Sequence, residues 1–155
     1  MNFPARLRLL CKADHGASLV ELALVTPILL LLVFGAVDFG HAFYVNLELV
    51  NAAHAGAEYG SLNPTLTDGI TTAAVQSAPN LHLSASAVAV KSGCECSDGT
   101  AYHDQNSCSP APACPNATLV NRVQVTTTTT YKTLVPWGVI PSSFKWSRTA
   151  TIRGN

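Results

Sequence analysis

An apolar stretch near the N-terminus, residues 17–38, constrains this chain more than any other feature. Glu21 is its only charged residue before Asp38, and the run from Leu22 to Val37 is almost wholly aliphatic. A helix needs about 20 apolar residues to cross roughly 30 Å of hydrocarbon. Within lipid, a single segment can satisfy its own backbone hydrogen bonds only as a helix. The stretch therefore predicts one transmembrane helix over residues 17–38.

The basic residues on either side of this stretch predict its orientation. Arg6, Arg8 and Lys12 precede the stretch, and the next Lys or Arg is Lys91. Positive charge beside a span tends to remain in the cytoplasm, so the N-terminus is expected inside and the C-terminal domain outside. The formal net charge of the chain is zero. This balance argues against a nucleic-acid partner, which would favour a basic face.

The helical pattern continues beyond the membrane and predicts an exported extension of the same helix over residues 39–62. Residues at spacings of four, three, four and three share one helical face: Phe43, Leu47, Val50, His54 and Ala57. We expect a small domain to pack on this face, and His54 to be a packed side chain rather than a ligand. The helix is expected to end at about Tyr59, with Gly60 as its stop.

The remaining residues, 63–155, predict a small exported domain. A short helix is expected over residues 67–77, capped by Thr67 or Asp68. Three strand candidates follow: 81–91, 117–134 and 144–152. The last two alternate apolar and polar residues, which predicts an antiparallel sheet buried on one side against the long helix. The predicted fold class is α+β, with a long N-terminal transmembrane helix that extends into a small antiparallel sheet domain.

A cysteine-rich segment, residues 93–115, interrupts the strand candidates and is predicted to be irregular because it is rich in Ser, Asp, Asn, Gly and Pro. It holds four of the five cysteines: Cys94, Cys96, Cys108 and Cys114. An even set in an oxidising compartment predicts two disulfides, with Cys94 and Cys96 each bonded to one of the other two. The alternative is a metal site with His103 as a further ligand, but the usual zinc spacing is missing.

Residues 1–16 are short and basic, and they are predicted to be a cleavable leader. Cleavage between Gly16 and Ala17 would retain the helix in the mature protein. The small residues at this junction and the charge of Glu21 just inside the apolar stretch favour that site. Cleavage after Ala42, as in an ordinary secretory signal, would instead release a soluble protein. A leader that is never removed would leave a plain single-pass anchor.

Residues 16–27, GASLVELALVTP, resemble the N-terminal signature of TadE-like proteins. These are minor, pilin-like components of the tight-adherence (Flp-type) pilus assembly system. Residues 38–40 and 51–57 are similar to later parts of the same pattern, and residues 147–153 resemble the last strand of the family. The resemblance implies a pilin-like (pseudopilin) protein of the bacterial inner membrane that a prepilin peptidase cleaves after Gly16.

Two residues within the helix carry specific expectations. The resemblance implies that Glu21 pairs with the freed amino group of Ala17 on a neighbouring subunit, a pairing that would set axial register. Such a pair attracts far more strongly at low dielectric than in water. The alternative is that Glu21 stays hydrated at the headgroup boundary. Pro27 removes one backbone hydrogen bond and is expected to kink the helix, although membrane helices also tolerate proline without a role.

The sequence contains no phosphate-binding glycine loop, no HExxH motif and no nucleophile elbow, so we predict neither an enzyme nor a cofactor. We expect an assembly component of a tight-adherence type IV pilus that works through helix–helix contacts in the inner membrane. Its expected partners are the prepilin peptidase, other pilin-like subunits, the membrane assembly platform and lipid. The alternative is a secreted binding or adhesin-like domain released near Ala42.

Overall fold

The computed structural model describes residues 15–100, 102–109, 111–135, 138 and 141–154. The chain divides into two compact units, Met1–Gly40 and His41–Asn155, and each is described here by itself. Helix α1, His15–Leu62, contributes residues to both units. Apart from its last two residues, the predicted leader lies outside the described residues.

In the first unit, α1 presents its apolar side chains to the surroundings. Leu24 and Ile28 are 70% and 63% exposed, and Leu32 is 60% exposed. The helix is long and apolar enough to cross a membrane, and no residue of its most apolar part is buried within the protein. This exposure suits contact with lipid. Among the described residues, α1 is thus one helix compatible with a single-pass membrane anchor.

The helix continues through Pro27 without losing its α-helical character. Proline has no N–H, so the carbonyl of Ala23 loses its usual donor four residues on. One residue earlier, the hydroxyl of Thr26 donates to the carbonyl of Leu22 at 2.6 Å, which satisfies that hydroxyl without water. The kink at Pro27 remains a prediction.

The second unit, which we call the head, begins at His41 and combines the C-terminal part of α1 with a short helix and a sheet. Its further elements are α2 Thr67–Gln76, β1 Val88–Cys96, β2 His103–Asp104, β3 Leu119–Lys132 and β4 Ser143–Gly154. All strand pairs are antiparallel, in the order β2-β1-β3-β4. The predicted α+β class is confirmed.

The helices of the head cover one face of the sheet. Ala57 of α1, Ile70 and Ala74 of α2, and Val123 and Val125 of β3 are all fully buried in one cluster. Side chains at alternate positions of a strand share a face, so both valines point to the helices. This cluster is the centre of the head's core.

A second cluster extends the core along α1. It contains Leu49, Ala52, Ala78 and Leu83, all of them buried. Beside it, the buried hydroxyl of Thr127 donates to the carbonyl of Leu49 at 2.9 Å. Because a hydroxyl buried without a partner costs free energy, this bond explains how a threonine run can supply a core position. The sequence predicted only extended structure for that run.

The face of α1 that packs in the head is not the predicted one. Phe43 and Leu47 are 56% and 44% exposed, and Val50 is 38% exposed. The side chain of His54 is 60% exposed and lies 3.6 Å from the carboxylate of Glu58. The predictions of a packed apolar face at these positions and of a packed His54 are therefore wrong, and of the predicted set only the last residue, Ala57, is buried.

The buried stripe of α1 instead consists mostly of small residues two positions away. It includes Val45, Leu49, Ala52, Gly56 and Gly60. Two residues advance a helix by about 200°, which places this stripe nearly opposite the large apolar side chains. Small residues are needed there because a Cβ added at Gly60 would lie only 2.6 Å from Val123. Thus Gly60 is a contact residue rather than a stop, and α1 ends at Leu62.

The first predicted strand is misplaced. Residues 81–87 form no strand, because one-turn 3-10 helices at Pro79–Leu81 and Ala85–Ala87 fold this segment, with His82 at a φ of 45° between them. β1 begins at Val88 and pairs with β3 as far as Cys96. The cysteine-rich segment thus starts inside a strand and not in an irregular loop. Pairing with β3 sets the bounds of β1, because apolar and polar residues alternate only weakly over residues 81–91.

Two smaller predictions at element ends also differ. α2 is preceded by Leu66 as its N-cap residue, without a side-chain cap, so neither Thr67 nor Asp68 fills that role. The alternation places Leu119 on the same face of β3 as Val123, yet Leu119 is 36% exposed, whereas Val120 is buried.

We predict that Gly60→Ala destabilises the head. The new methyl group would collide with Val123, and overpacking of this kind costs about 1–3 kcal/mol. The higher helix propensity of alanine relative to glycine would offset about 1 kcal/mol of this loss. Thermal unfolding of the full-length protein in detergent, followed by near-UV circular dichroism, measures the change. Gly40→Ala is the matched control, because a Cβ there meets no atom within 4 Å. Equal melting temperatures for the two variants would contradict the close-packing role of Gly60.

Candidate functional site

The N-terminal part of α1 carries one carboxylate on an otherwise apolar, exposed surface. Glu21 is exposed, as are Leu19 and Val20 before it and Leu22 after it. Within the part of the chain that the structure describes, Glu21 makes no hydrogen bond and no ion pair. Its side chain is therefore available to a partner outside this chain.

Glu21 lies on a helix that is long and apolar enough to cross a membrane. A carboxylate in hydrocarbon costs a few kcal/mol on insertion scales, and such groups are usually paired with a cation or a polar partner. A cationic partner at the same depth would recover that cost through attraction at low dielectric. The arrangement can therefore select a partner and fix its position along the helix.

The predicted cleavage junction lies at the start of α1. Gly16 is exposed, and a Cβ added to it would meet no atom within 4 Å. Ala17 is helical. A Cβ added at Gly16 would therefore lie in open space, which matters for the design of a processing test.

In the head, the cysteines form two disulfides that join β1 to the segment after it. Cys94 bonds to Cys108, and Cys96 bonds to Cys114. Cys94 and Cys96 are both buried. Since all four thiols are used in these bonds, no thiolate is left for the alternative metal site, and the described residues contain no group of three His, Cys, Asp or Glu suited to a metal ion.

Between the two disulfides, β1 holds a buried carboxylate in an ion-pair network. The side chain of Glu95 is only 3% exposed. It lies 3.2 Å from the Nη1 atom of Arg122 on β3, and the Nε atom of Arg153 on β4 donates to its other oxygen. A buried carboxylate is tolerated only when it is paired and hydrogen-bonded. The network therefore ties three strands together at the cysteine end of the sheet.

The segment after β1 folds over this network. The guanidinium of Arg122 lies 5.0 Å from the centre of the Tyr102 ring, a cation–π distance. Burial raises the pKa of the Tyr102 hydroxyl, and a hydrogen bond to Asp104 adds to the effect. Gly93 makes room for this fold, because any Cβ there would collide with the backbone of His103. The disulfide segment is thus a packed cover with a defined shape.

A second buried carboxylate lies on α1. Glu48 accepts hydrogen bonds from the hydroxyl of Tyr44 at 2.6 Å and from the amide of Asn80 at 2.5 Å, both at Oε1. Its Oε2 atom is buried without a hydrogen-bond partner. The hydrogen bond to Glu48 raises the pKa of the Tyr44 hydroxyl. These contacts anchor the turn at Asn80 to α1.

The sequence comparisons point to the same helix as the geometry. Residues 16–58 match the family model described as TadE-like protein. This N-terminal region is TadE-like. The match confirms the resemblance drawn from the GASLVELALVTP motif, and it covers α1 from Gly16 into the head but not the sheet. No curated protein and no solved structure matches the chain.

The TadE-like family is a structural, pilus-related family and not a family of enzymes. The pilus-related family thus matches residues 16–58 of this chain. The match places Gly16, Glu21 and Pro27 inside the matched region, whereas the four disulfide cysteines lie outside it.

Sequence reasoning missed the Glu95 network. Its only local signal is a glutamate between two cysteines, and the arginines that pair with it are 27 and 58 residues further along the chain. The burial of Glu48 was not predicted either. The two arginines that pair with Glu95 and the Asn80 amide that binds Glu48 are brought near only by the tertiary fold.

We predict that Glu95→Gln destabilises the head by about 2 kcal/mol, because the loss of one member of a buried ion pair leaves its partners uncompensated. The cost stays below that of a fully buried pair, since the side chains of Arg122 and Arg153 are 27% and 53% exposed. Urea unfolding of the oxidised full-length protein in detergent, followed by tryptophan fluorescence, measures it.

Glu58→Gln is the matched control for this experiment. Glu58 is 69% exposed and faces only His54, so its replacement should change the unfolding free energy by less than about 0.5 kcal/mol. If Glu95→Gln were as stable as this control, the network would have no role in holding the strands together.

Proposed function

We propose that this protein is a minor pilin-like (pseudopilin) component in the assembly of a tight-adherence type IV pilus. The observation that supports this proposal most directly is the carboxylate of Glu21, which has no partner among the described residues and lies on an exposed apolar helix inside the TadE-like match. In this proposal α1 anchors the protein in the inner membrane, with the N-terminus in the cytoplasm and the head on the outer side. The Lys and Arg residues before the span support that orientation.

The first step of the proposed function is processing. A prepilin peptidase cleaves between Gly16 and Ala17, which removes the basic leader and creates a new amino group at the end of the helix. The exposure of Gly16 supports this site, because a protease must reach the bond that it cuts.

The second step is assembly through helix–helix contacts. The new amino group of Ala17 pairs with Glu21 of a neighbouring pilin-like subunit, which sets the register between the two helices. Outside the membrane, the exposed face of α1 formed by Phe43, Leu47 and Val50 continues the contact with neighbouring subunits. Membrane lipid and the assembly platform are the remaining partners in this proposal.

We predict that Gly16→Phe blocks processing and abolishes pili. A Cβ at this exposed position meets no atom within 4 Å, so we expect the effect to arise at the peptidase and not from misfolding. Intact-mass measurement and N-terminal sequencing of the protein from membranes give the result: wild type begins at Ala17, and the variant keeps its leader. A wild-type chain that begins at Phe43 would instead identify a secreted protein, and an uncut wild-type chain would identify a plain anchor.

We predict that Glu21→Ala is processed and inserted normally but fails to support pilus assembly, because the register pair is lost. Electron microscopy of surface pili and membrane fractionation, performed on the same cells, separate assembly from insertion. Glu58→Ala serves as the control, since it removes an exposed carboxylate of α1 within the head. Normal pili from the Glu21→Ala strain would refute the register role.

A further inference from the structure

One edge of β3 is left open beyond Val88, the first residue of β1. The pairing between these strands stops at Val88 and Thr127, whereas β3 continues to Lys132 with β4 on its other side. Within the described part of the chain, Thr128, Thr129 and Thr130 therefore have a strand on one side only. An open strand edge carries backbone N–H and C=O groups that can pair with another chain.

Two cavities follow this edge, and we call them together the β3 groove. Their volumes are about 420 Å³ and about 580 Å³, and both are lined by Leu81, Thr129 and Thr130. The first cavity extends towards Ser86 and Lys145, and the second extends towards residues further along β3. Volumes of this size are typical of ligand-binding clefts.

The opposite wall of the groove does not fill the strand position. It is the segment 79–87, whose two one-turn 3-10 helices direct its hydrogen bonds inward. Leu81 N–H donates to the Ala78 carbonyl, and Ala87 N–H donates to the Ser84 carbonyl. The left-handed φ of 45° at His82 turns the chain between them. The wall lies beside β3, and these two backbone N–H groups are used within it.

The charge of the groove is one-sided. Among the described residues, its lining contains Lys132 and Lys145 together with His41 and His82, and no Asp or Glu. Glu48 is not a lining residue, because its buried side chain is held behind the groove by Tyr44 and Asn80. The groove thus presents hydroxyl groups, backbone groups and positive charge.

We propose that the β3 groove binds an extended, acidic peptide segment of a partner protein, which pairs with Thr128–Thr130 as an additional strand. In this mode of recognition, main-chain hydrogen bonds supply affinity and the pockets beside the strand supply specificity. Lys132 and Lys145 select for carboxylates on the incoming segment.

The charges argue against two other occupants. The leader of this chain is basic, with Arg6, Arg8 and Lys12. A second copy offering its β4 edge would bring Lys145 and Arg148. Either would place like charges together, which is unfavourable. The fitting occupant is an acidic segment of a different protein.

The test uses the full-length, oxidised protein in nonionic detergent and a synthetic probe, acetyl-EVEVTVE-amide. Bound probe should slow hydrogen exchange of amides within Thr128–Thr130 by about tenfold, as measured by NMR, because new interstrand bonds protect them. The control peptide, with lysine in place of each glutamate, should leave these amides unchanged. Protection at β4 alone, equal binding of the control peptide or no binding of the probe would each overturn the proposal.

Charge-reversal variants of the two groove lysines then test where the probe binds. Lys145→Glu and, independently, Lys132→Glu should weaken binding of the acidic probe on the order of fivefold, the scale of one exposed charge pair. Lys91→Glu is the matched control, an exposed lysine on the same sheet face but on β1, outside the groove. Equal weakening by Lys91→Glu would overturn the proposal. The binding measurement involves neither Gly16 nor Glu21, so its failure and that of the pilus proposal are distinguishable.

Discussion

Close approach of α1 to the sheet is the constraint on which the head depends. The approach is possible because the helix presents Gly56, Gly60 and alanines where β3 and α2 lie. Close packing of this kind leaves no space for larger side chains. The large side chains of Phe43 and Leu47 lie on the opposite side of the helix, where they are exposed. The same helix therefore combines a packed face made of small residues with an outward face made of large ones.

The carboxylates of this chain fall into two physical classes. Glu95 and Glu48 are buried and hydrogen-bonded within the head, so their charges are used to hold elements together. Glu21 lies on an apolar surface, where the described residues offer it no partner. A charge that is costly and unpaired in one chain is suited to a contact between chains. This difference supports an assembly role for α1 and a structural role for the acidic residues of the head.

The unequal lengths of the strands carry a further consequence. β3 has 14 residues and β1 has 9, so the sheet ends unevenly where the 3-10 turns precede Val88. Proteins usually cover or interrupt long open edges, because such edges attract other strands. Here the edge is bordered by a groove with positive charge. The feature therefore suits a binding function for the head that is separate from the contacts of α1.

The sequence by itself determined the long apolar helix, the α+β class, the threonine-rich strand and the TadE-like character of residues 16–58. These features are local, since length, periodicity and a short motif specify them. Only the tertiary structure decided the packed face of α1, the start of β1 at Val88 and the pairing of Glu95 with Arg122 and Arg153. Small residues give little hydrophobic signal, and ion pairs between distant strands leave no local pattern. Such features exist only once the sheet and the helices have come together.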